Sequence, residues 1–388
     1  MKKHHSVMVV GGGPSGSAAA FTLAKHGVDV CVVDKATFPR NKLCAGLLTI
    51  RSKHLFAEIF DAPWDLAFEY EANGVRFFHK NKLLKSVEDC SEMFFTYRVD
   101  FDNYLLTMAE SKGAHLYQGS GVDSIDLNNK VCHLRSGEEI SYDYLIGADG
   151  VNSIVAKSIY GKSFDKETIA FALEIEVDKN LSRREVKVPE LYFGVANWGY
   201  GWVFPKKHAL TVGIIGLHAK NPHLKKQFSD FLIDLFGDVP DVKFNGHYIP
   251  FGDYRKTPGV DSALLVGDAA GLVDPITGEG IAYAMQSGYF AALAIVESVS
   301  TDQSKNVVDV YMKKHSEITS SLDYANRLKY LIFPKLSEYL FVKTFPATTQ
   351  LPLKHMELIA GKITYKEYSR YVLGKVISGF FKRLLFLK

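Results

Sequence analysis

The segment Gly11-Gly12-Gly13-Pro14-Ser15-Gly16 is the part of this sequence that decides the fold. It is preceded by an apolar run, Ser6 to Val10, and followed by a run of small residues, Ser17 to His26. This order predicts a short buried β-strand, a glycine turn and an α-helix. The next segment, Val28 to Val33, has the composition of a second strand and ends at Asp34. We therefore predict a strand, helix, strand unit of the Rossmann type.

The residues of the turn have separate roles in such a unit. Gly11 permits the tight bend, Gly13 lets the backbone approach a pyrophosphate, and Gly16 lets the helix pack close to the strand. The amino terminus of the predicted helix favours negative charge, and Pro14 and Ser15, which precede it, are assigned to the same site. These residues are predicted to bind the pyrophosphate of a dinucleotide.

An acid at the end of the second strand extends this predicted site. Asp34 is placed to accept hydrogen bonds from the hydroxyls of an adenosine ribose. We also assign two further residues to the cofactor site, Lys35, which follows Asp34, and Val122, which begins another predicted strand.

The composition limits the classes of function. Of the 388 residues, 47% are hydrophobic and 23% charged, and the formal net charge of +3 gives no reason to expect nucleic acid as a partner. The four cysteines show no CxxC spacing, so neither a metal site nor a disulfide framework is expected. The longest apolar stretch, Ile281 to Val299, is interrupted by polar residues, which argues against a membrane span. We expect a cytoplasmic protein.

Two further motifs place an acid among small residues after an apolar strand. They are Gly147-Ala148-Asp149-Gly150 and Gly267-Asp268-Ala269-Ala270-Gly271, and their small side chains let a cofactor lie against the backbone. In this order, the three motifs resemble those of flavoproteins with the para-hydroxybenzoate hydroxylase fold. The resemblance implies that the dinucleotide is FAD and that Asp268 binds its ribityl chain. It also implies that Arg98, which is followed by Phe101-Asp102, contacts the phosphate region, and it adds Asp149 and Gly267 to the site.

The last motif continues through Asp274 to Ile281, and a helix is predicted to start near Gly280. Backbone N–H groups at such a start, aimed at the pyrimidine end of a flavin, would stabilise negative charge at N1 of the reduced cofactor. We therefore assign Gly278, Gly280 and Ile281 to FAD binding. The alternative is that Pro275 and the glycines only shape the loop.

Two other stretches are similar to the geranylgeranyl reductase family, whose members saturate isoprenoid double bonds. Phe38 to Leu47 resembles the family segment P-x-x-K-x-C-G-G, with Ala45 in place of a glycine. Tyr200-Gly201-Trp202-Val203-Phe204-Pro205-Lys206 resembles the signature Y-x-W-x-F-P-K. With Gly361 to Tyr371, the resemblance covers essentially the whole chain. It adds Lys42, Cys44 and Ala45 to the predicted cofactor-binding residues.

The aromatic residues of the second stretch alternate along a predicted strand, so Tyr200, Trp202 and Phe204 point to one face. We interpret them, with Pro205 and Lys206, as a substrate-binding wall that holds an apolar chain over the flavin. The alternative is an ordinary aromatic core strand. Lys206 either holds an anionic headgroup, such as the phosphate of a prenyl lipid, or is a solvated lysine at the strand end.

Three residues are candidates for a catalytic role: Cys44, Tyr200 and Trp202. A thiol or a phenol beside the flavin is a possible proton donor, so Cys44 and Tyr200 are the candidates for that step. Cys44 is nearly as well explained as a buried structural cysteine.

The predicted fold class is α/β, mixed with α+β elements. It consists of a Rossmann-type FAD-binding domain (residues 1–70, 98–165 and 255–303), an inserted antiparallel-sheet substrate domain (71–97 and 166–254) and a C-terminal helical lobe (304–388). Residues 169–249 alternate as antiparallel strands do, with one helix from Leu224 to Phe236.

The predicted function is reduction of C=C bonds of an isoprenoid lipid by hydride transfer from reduced FAD. The external reductant is either NAD(P)H or an electron carrier. A monooxygenase or halogenase of the same fold is one alternative, and a flavin-binding redox adaptor without turnover is another. The mixed apolar and basic segment Tyr371 to Lys388 suits peripheral contact with the inner face of a membrane, or packing on the core or on a partner subunit.

Overall fold

The computed structural model describes residues 3–182, 184–300, 306–334, 342, 345 and 350–385, with side chains as far as residue 375. Its strands in chain order are β1 (Lys3–Val10), β2 (Val30–Asp34), β3 (Leu47–Thr49), β4 (Tyr70–Ala72), β5 (Val75–His79), β6 (Lys82–Val87), β7 (Met93–Phe95), β8 (His115–Gln118), β9 (Val122–Asp126), β10 (Val131–Leu134), β11 (Glu139–Gly147), β12 (Ala170–Asp178), β13 (Glu190–Phe193), β14 (Gly199–Pro205), β15 (Ala209–Leu217), β16 (Asn245–Ile249), β17 (Gly259–Val260) and β18 (Ala263–Leu265). Its helices are α1 (Pro14–Lys25), α2 (Ile50–Phe60), α3 (Arg98–Ser111), α4 (Ile154–Tyr160), α5 (Leu224–Phe236), α6 (Ile281–Ser300), α7 (Val307–Ile332), α8 (Gln350–Ile359) and α9 (Tyr365–Leu385).

The first sheet is built around the predicted strand, helix, strand unit. Its parallel strands stand in the order β18, β11, β1, β2, β8, with β17 antiparallel at one edge. The strands β9 and β10 form an antiparallel extension on β11. Residues 7–10 are buried because a parallel sheet is covered on both faces. The carboxyl ends of β1, β2 and β11 meet at one edge, where Gly11, Asp34 and Ala148 lie.

Helix α1 packs closely against α6 on one face of this sheet. The contact uses small buried side chains, among them Ala19 of α1 and Ala292 of α6. At its tightest point, a Cβ added to Gly288 would lie 2.0 Å from the carbonyl oxygen of Ser15. The amino-terminal turn of α1 is therefore held directly against the backbone of α6.

The second sheet has the strand order β16, β12, β15, β14, β13, β5, β6 and is antiparallel except for the parallel pair β13 and β5. Helix α5 covers one face, where Phe228 and Leu232 pack with Ile175 and Val212. The opposite face carries Trp202, together with other aromatic residues. A small third sheet, in the order β3, β7, β4, joins the two larger ones.

The C-terminal helices close the molecule over the loop that precedes α6. The hydroxyl of Tyr365, on α9, donates to the carboxylate of Asp274, with O–O distances of 2.6 and 2.8 Å. Arg51, on α2, donates to the backbone oxygen of Leu358 at the end of α8, with an N–O distance of 3.3 Å. These contacts tie the C-terminal lobe to the predicted FAD-binding domain.

The predicted fold class is confirmed, with small differences in the bounds of elements. Helix α5 occupies the predicted residues, whereas α1 begins at Pro14, because proline suits the first turn of a helix. Helix α3 begins at Arg98. In the part of the chain that the structure describes, no helix is long and apolar enough to cross a membrane. The predicted membrane-contact segment, Tyr371 to Lys388, lies mostly outside the described side chains.

Candidate active site

One cavity of about 770 Å³ extends from the glycine turn, past the aromatic face of the second sheet, to the C-terminal lobe. Its lining includes Gly11 and Asp34 at one end, Cys44 and Trp202 in the middle, and Met356 at the other end. All the predicted cofactor-binding residues except Gly16 and Gly267 line it. The cavity therefore brings together residues that lie far apart in the sequence.

The glycine turn forms a cradle that side chains would fill. Gly11 has a φ of 106°, and a Cβ there would lie 2.4 Å from the carbonyl oxygen of Ala148. A Cβ on Gly16 would lie 1.8 Å from the carbonyl oxygen of Gly11, so Gly16 acts by close packing although it does not line the cavity. Gly13 is the N-cap of α1 and supplies no side-chain cap. No N-cap side chain therefore accepts a hydrogen bond from the first N–H groups of α1. These groups can donate to a bound pyrophosphate.

The carboxylate of Asp34 is fixed at the rim of this cradle. One oxygen accepts from the backbone N–H of Gly12 and the other from that of Ala36, both at 2.8 Å. Lys35 and Val122 line the cavity beside it, as does Arg135. Each carboxylate oxygen of Asp34 retains a second lone pair that can accept from a ribose hydroxyl.

Asp149 has an oxygen that is buried without a hydrogen-bond partner among the described residues. Its Oδ2 accepts from the backbone N–H of Ile154 at 2.6 Å, while its Oδ1 is the unpartnered atom. Burial raises the pKa of Asp149. A buried acceptor of this kind is usually satisfied, so the position fits a bound group that carries a donor. The residues present at this end of the cavity thus fit FAD.

Arg98 lies in a buried cluster of two arginines and one acid. Its Nε and Nη2 donate to the two oxygens of Asp102 at 2.5 and 2.7 Å, and Nη1 of Arg40 lies 3.0 Å from the same carboxylate. Burial opposes the charge of Arg98, but Asp102 outweighs that effect and the pKa of Arg98 is raised. The excess positive charge faces the cavity, where it favours an anionic group. Sequence reasoning missed Arg40 because no motif singled it out.

The loop before α6 is shaped by the side chain of Asp274. Its Oδ1 accepts from the backbone N–H groups of Ile276 and Thr277 at 2.8 and 3.0 Å. Gly278 follows with a φ of 73°, and α6 begins at Ile281, as predicted within one residue. Asp268, Gly278, Gly280 and Ile281 all line the cavity, while Gly267 lies behind it with its N–H bonded to Ser287.

A largely buried ion pair supports the same loop. Oε2 of Glu279 lies 3.1 Å from Nη1 of Arg51, and its Oε1 accepts from the hydroxyl of Thr49 at 2.7 Å. Arg51 also donates to the hydroxyl of Tyr283 at 2.6 Å. These contacts come from residues that no sequence motif connects, so the pattern of the sequence could not reveal them.

The predicted aromatic wall is present on the cavity face of β14. Tyr200, Trp202 and Phe204 line the cavity, and the ring centroids of each consecutive pair lie 6.3 Å apart. A Cβ on Gly213 would lie 2.1 Å from the indole of Trp202, so the indole lies flat over a glycine of β15. The hydroxyl of Tyr200 donates to the backbone oxygen of Thr277. This bond joins the wall to the loop before α6.

Pro205 and Lys206 lie outside the cavity lining among the described residues. Nζ of Lys206 lies 3.9 Å from the ring centroid of Tyr97 and 3.5 Å from Oε2 of Glu176. This position does not favour the predicted contact with a substrate headgroup. The reason is that β14 ends at Pro205, beyond the part of the strand that faces the cavity.

The segment around Cys44 lies between the two ends of the cavity. Lys42, Cys44 and Ala45 line it, and Sγ of Cys44 accepts from the N–H of Gly46 at 3.4 Å. Burial lowers the pKa of Lys42. Burial, followed by the charge of Lys42, lowers the pKa of His247 to about 4, so this histidine is neutral at physiological pH.

The far end of the cavity is mainly apolar and aromatic. Sequence reasoning missed its lining, which includes Leu191, Phe193, Phe333, Phe345, Met356 and Ile359. His355 also lines this end, and burial lowers its pKa to about 4. C-terminal residues pack against the second sheet across long sequence distances to build this end, which explains why no local pattern predicted it.

Comparisons with known proteins identify the family of this chain. The FAD binding domain family matches residues 4–208. Digeranylgeranylglycerophospholipid reductase of Methanosarcina mazei is 30% identical over 81% of this chain and 81% of that protein. Menaquinone reductase of Mycobacterium tuberculosis is 30% identical over 74% of this chain and 75% of that protein. A solved structure, a geranylgeranyl bacteriochlorophyll reductase-like protein of Thermoplasma acidophilum, has the same fold, with a TM-score of 0.73 at 23% identity over 93% of this chain and 92% of that chain.

The match to the FAD binding domain covers more than half of the chain, and the two reductases cover about three quarters of it or more. The glycine cradle, Asp34 and Asp149 line one end of the cavity, and their arrangement fits FAD. The chain therefore belongs to the FAD binding domain family and is an FAD-dependent oxidoreductase of the group that includes the geranylgeranyl reductases.

Proposed function

We propose that the protein reduces C=C bonds of an isoprenoid lipid, with reduced FAD as the hydride donor. The observation that carries this proposal is the continuity of the cavity. One space of about 770 Å³ joins the glycine cradle to an apolar end lined by Phe193 and Met356. A long flexible hydrocarbon can lie in that end and reach the flavin position.

When bound and reduced, FAD supplies a hydride, and the protein supplies position and a dry environment. The wall formed by Tyr200, Trp202 and Phe204 presents an apolar aromatic surface to a chain. Because Tyr200 is bonded to Thr277, its ring is fixed relative to the loop that precedes α6. The ring system of the wall is therefore positioned before a substrate enters.

Tyr200 and Trp202 serve this reaction by holding the substrate. Burial raises the pKa of Tyr200, and its hydroxyl proton is already committed to Thr277. Nε1 of Trp202 is buried without a hydrogen-bond partner among the described residues. We therefore assign to both residues a role in positioning the substrate and not in donating the proton.

The names of the relatives support an isoprenoid substrate. The Methanosarcina mazei protein is named as a reductase of a digeranylgeranyl phospholipid, and the Mycobacterium tuberculosis protein as a reductase of menaquinone. The apolar end of the cavity suits the prenyl chain of either kind of lipid. The external reductant is NAD(P)H or an electron carrier, and peripheral membrane contact would give access to lipid substrates.

An anaerobic assay tests the proposal. The FAD-bound protein is reduced chemically, mixed with a geranylgeranyl lipid or with menaquinone in detergent, and the lipids are analysed by mass spectrometry. Mass gains in steps of two hydrogens are expected. The variant Trp202→Ala should retain FAD and lose most of this activity, while Trp64→Ala, outside the cavity lining, serves as the matched tryptophan control.

An oxygenated or halogenated product that forms only in air would favour the alternative chemistry of a monooxygenase or halogenase. Absence of any lipid product, with or without oxygen, would favour a redox adaptor. Either result contradicts the proposed reduction.

A further inference from the structure

The cavity face of the second sheet carries a short row of charged residues beside the aromatic wall. On β12, Glu174 and Glu176 are two residues apart and point to the same side. Glu174 pairs with Gly213 of β15, which in turn pairs with Trp202 of β14. Residues directly opposite one another in antiparallel strands share a face, so Glu174 lies on the face of the aromatic wall.

Glu174 lies at the cavity, next to the Cys44 segment. Its side chain belongs to the cavity lining, and the residue is 8% exposed. Its carboxylate accepts a hydrogen bond from the backbone N–H of Cys44. Because Gly213 has no side chain, no group of β15 stands between Glu174 and the indole of Trp202.

Two further residues extend from Glu174 toward solvent. Nζ of Lys206 lies 3.5 Å from Oε2 of Glu176, with the Lys206 side chain 3% exposed and that of Glu176 49% exposed. The α-carbons of Glu174 and Glu176 are about 7 Å apart, as expected for alternate residues of a strand. The half-exposed acid and the buried lysine are thus in contact, and the charge of the lysine also acts on the cavity-lining acid Glu174, two residues along the strand.

We propose that Glu174 donates the proton that C=C reduction consumes, and that the pair of Lys206 and Glu176 returns a proton to it from solvent. The proposal rests on the proposed function. The π bond of the alkene breaks, and one carbon takes the hydride assigned above to reduced FAD. The other carbon takes the proton of the Glu174 carboxyl group, which becomes a carboxylate. Lys206 then protonates that carboxylate and regains a proton through Glu176 from water.

The electrostatic surroundings of Glu174 suit such an exchange. Burial has the largest effect and raises the pKa of Glu174 to about 7. Lys206, the N–H of Cys44 and Lys42 act to lower this pKa, whereas Glu176 acts to raise it. On β16, Asn245 lies opposite Glu174 and is uncharged, and His247, two pairs further along, is neutral above its pKa of about 4. Both protonation states of Glu174 are therefore populated near neutral pH, as a general acid requires.

The test combines infrared spectroscopy with turnover, both on the full-length FAD-bound protein. In the wild type, the carbonyl band of a protonated carboxyl group should disappear with a midpoint near pH 7, and Glu174→Gln should lack this titration. Lys206→Met should move the midpoint to higher pH because a cation is removed. Glu176→Gln should move it to lower pH because an anion is removed. Glu185→Gln, an exposed acid, is the control and should change nothing.

In the anaerobic lipid assay, Glu174→Gln should retain FAD and lower the rate about 100-fold or more, the usual contribution of a general acid. The wild-type rate should fall above pH 7, and the variant should lose this dependence. A Glu174→Gln protein as fast as the wild type would overturn the assignment, as would a wild-type band that does not titrate. A wild type that reduces no lipid contradicts the proposed function instead, and the infrared titration distinguishes the two failures because it needs no substrate.

Discussion

The Arg51–Glu279 ion pair is predicted to hold the loop before α6 in place, and Arg51→Met tests this. The side chains of Arg51 and Glu279 are 20% and 10% exposed, so the pair is largely removed from water. Replacing Arg51 leaves the carboxylate of Glu279 buried without its cation. Breaking a buried pair in this way costs about 3–5 kcal/mol of unfolding free energy. We expect about 3 kcal/mol here because Arg51 keeps some contact with water.

A loss of 3 kcal/mol corresponds to a fall in the unfolding temperature of about 6–12 °C, at about 2–4 °C per kcal/mol. Thermal unfolding of the FAD-bound protein, followed by circular dichroism, measures it. The matched control is Lys53→Met, whose exposed pair with Glu92 has an N–O distance of 3.9 Å and contributes about 0–1 kcal/mol. If Arg51→Met were as stable as Lys53→Met, the reasoning about the loop would be refuted.

The destabilisation of Arg51→Met should also depend on pH. Burial raises the pKa of Glu279 above its ordinary value of 4.5, and Arg51 opposes this rise. Without Arg51 the folded-state pKa rises further. Because the pKa of Glu279 is higher in the folded state than in the unfolded state, its contribution to folding stability is fully present below pH 4.5. That contribution is lost as the pH rises through the folded-state pKa. The variant should therefore lose more stability relative to the wild type at pH 8 than at pH 5.

Three other predictions concern the cavity itself. Asp268→Ala should release most of the FAD on gel filtration, while Asp65→Ala, an exposed acid, should retain it; equal retention contradicts the role of Asp268. Gly213→Ala places a Cβ 2.1 Å from the indole of Trp202, so it should displace the ring and slow lipid turnover at least tenfold with FAD retained. Gly374→Ala, where a Cβ meets nothing within 4 Å, is its control. Burial lowers the folded-state pKa of His355 to about 4, so folding stability should fall as the pH drops from 6.5 to 4. In urea unfolding, His355→Phe should reduce this dependence of stability on pH. An unchanged dependence contradicts the role of His355.

The sequence was sufficient to predict the amino-terminal unit because its signals are local. The glycine turn, Asp34 and the alternation of Tyr200, Trp202 and Phe204 each follow from contacts between residues close in the chain or from strand periodicity. The structure places Gly11 and Gly16 where no side chain fits, as the turn requires. The same reasoning found the position at which α6 begins.

Residues that act across long sequence distances were not predictable in this way. Arg40 joins Arg98 and Asp102, and Glu279 bonds to Thr49, only because the sheets and helices bring them together. Lys206 is the last residue of a recognisable signature, yet its side chain contacts Tyr97 and Glu176 and does not line the cavity. Lys206 lies just beyond the end of β14, and single-sequence patterns do not locate strand ends reliably.

The central claim is that a lipid chain in the apolar end of the cavity takes a hydride from reduced FAD bound at the glycine cradle. The most direct measurement is a single turnover without oxygen, in which flavin absorbance is followed after the reduced protein is mixed with a prenyl lipid. The account predicts that the oxidised flavin spectrum returns, with two hydrogens gained by the lipid for each flavin oxidised. A flavin that stays reduced until oxygen is admitted would contradict it.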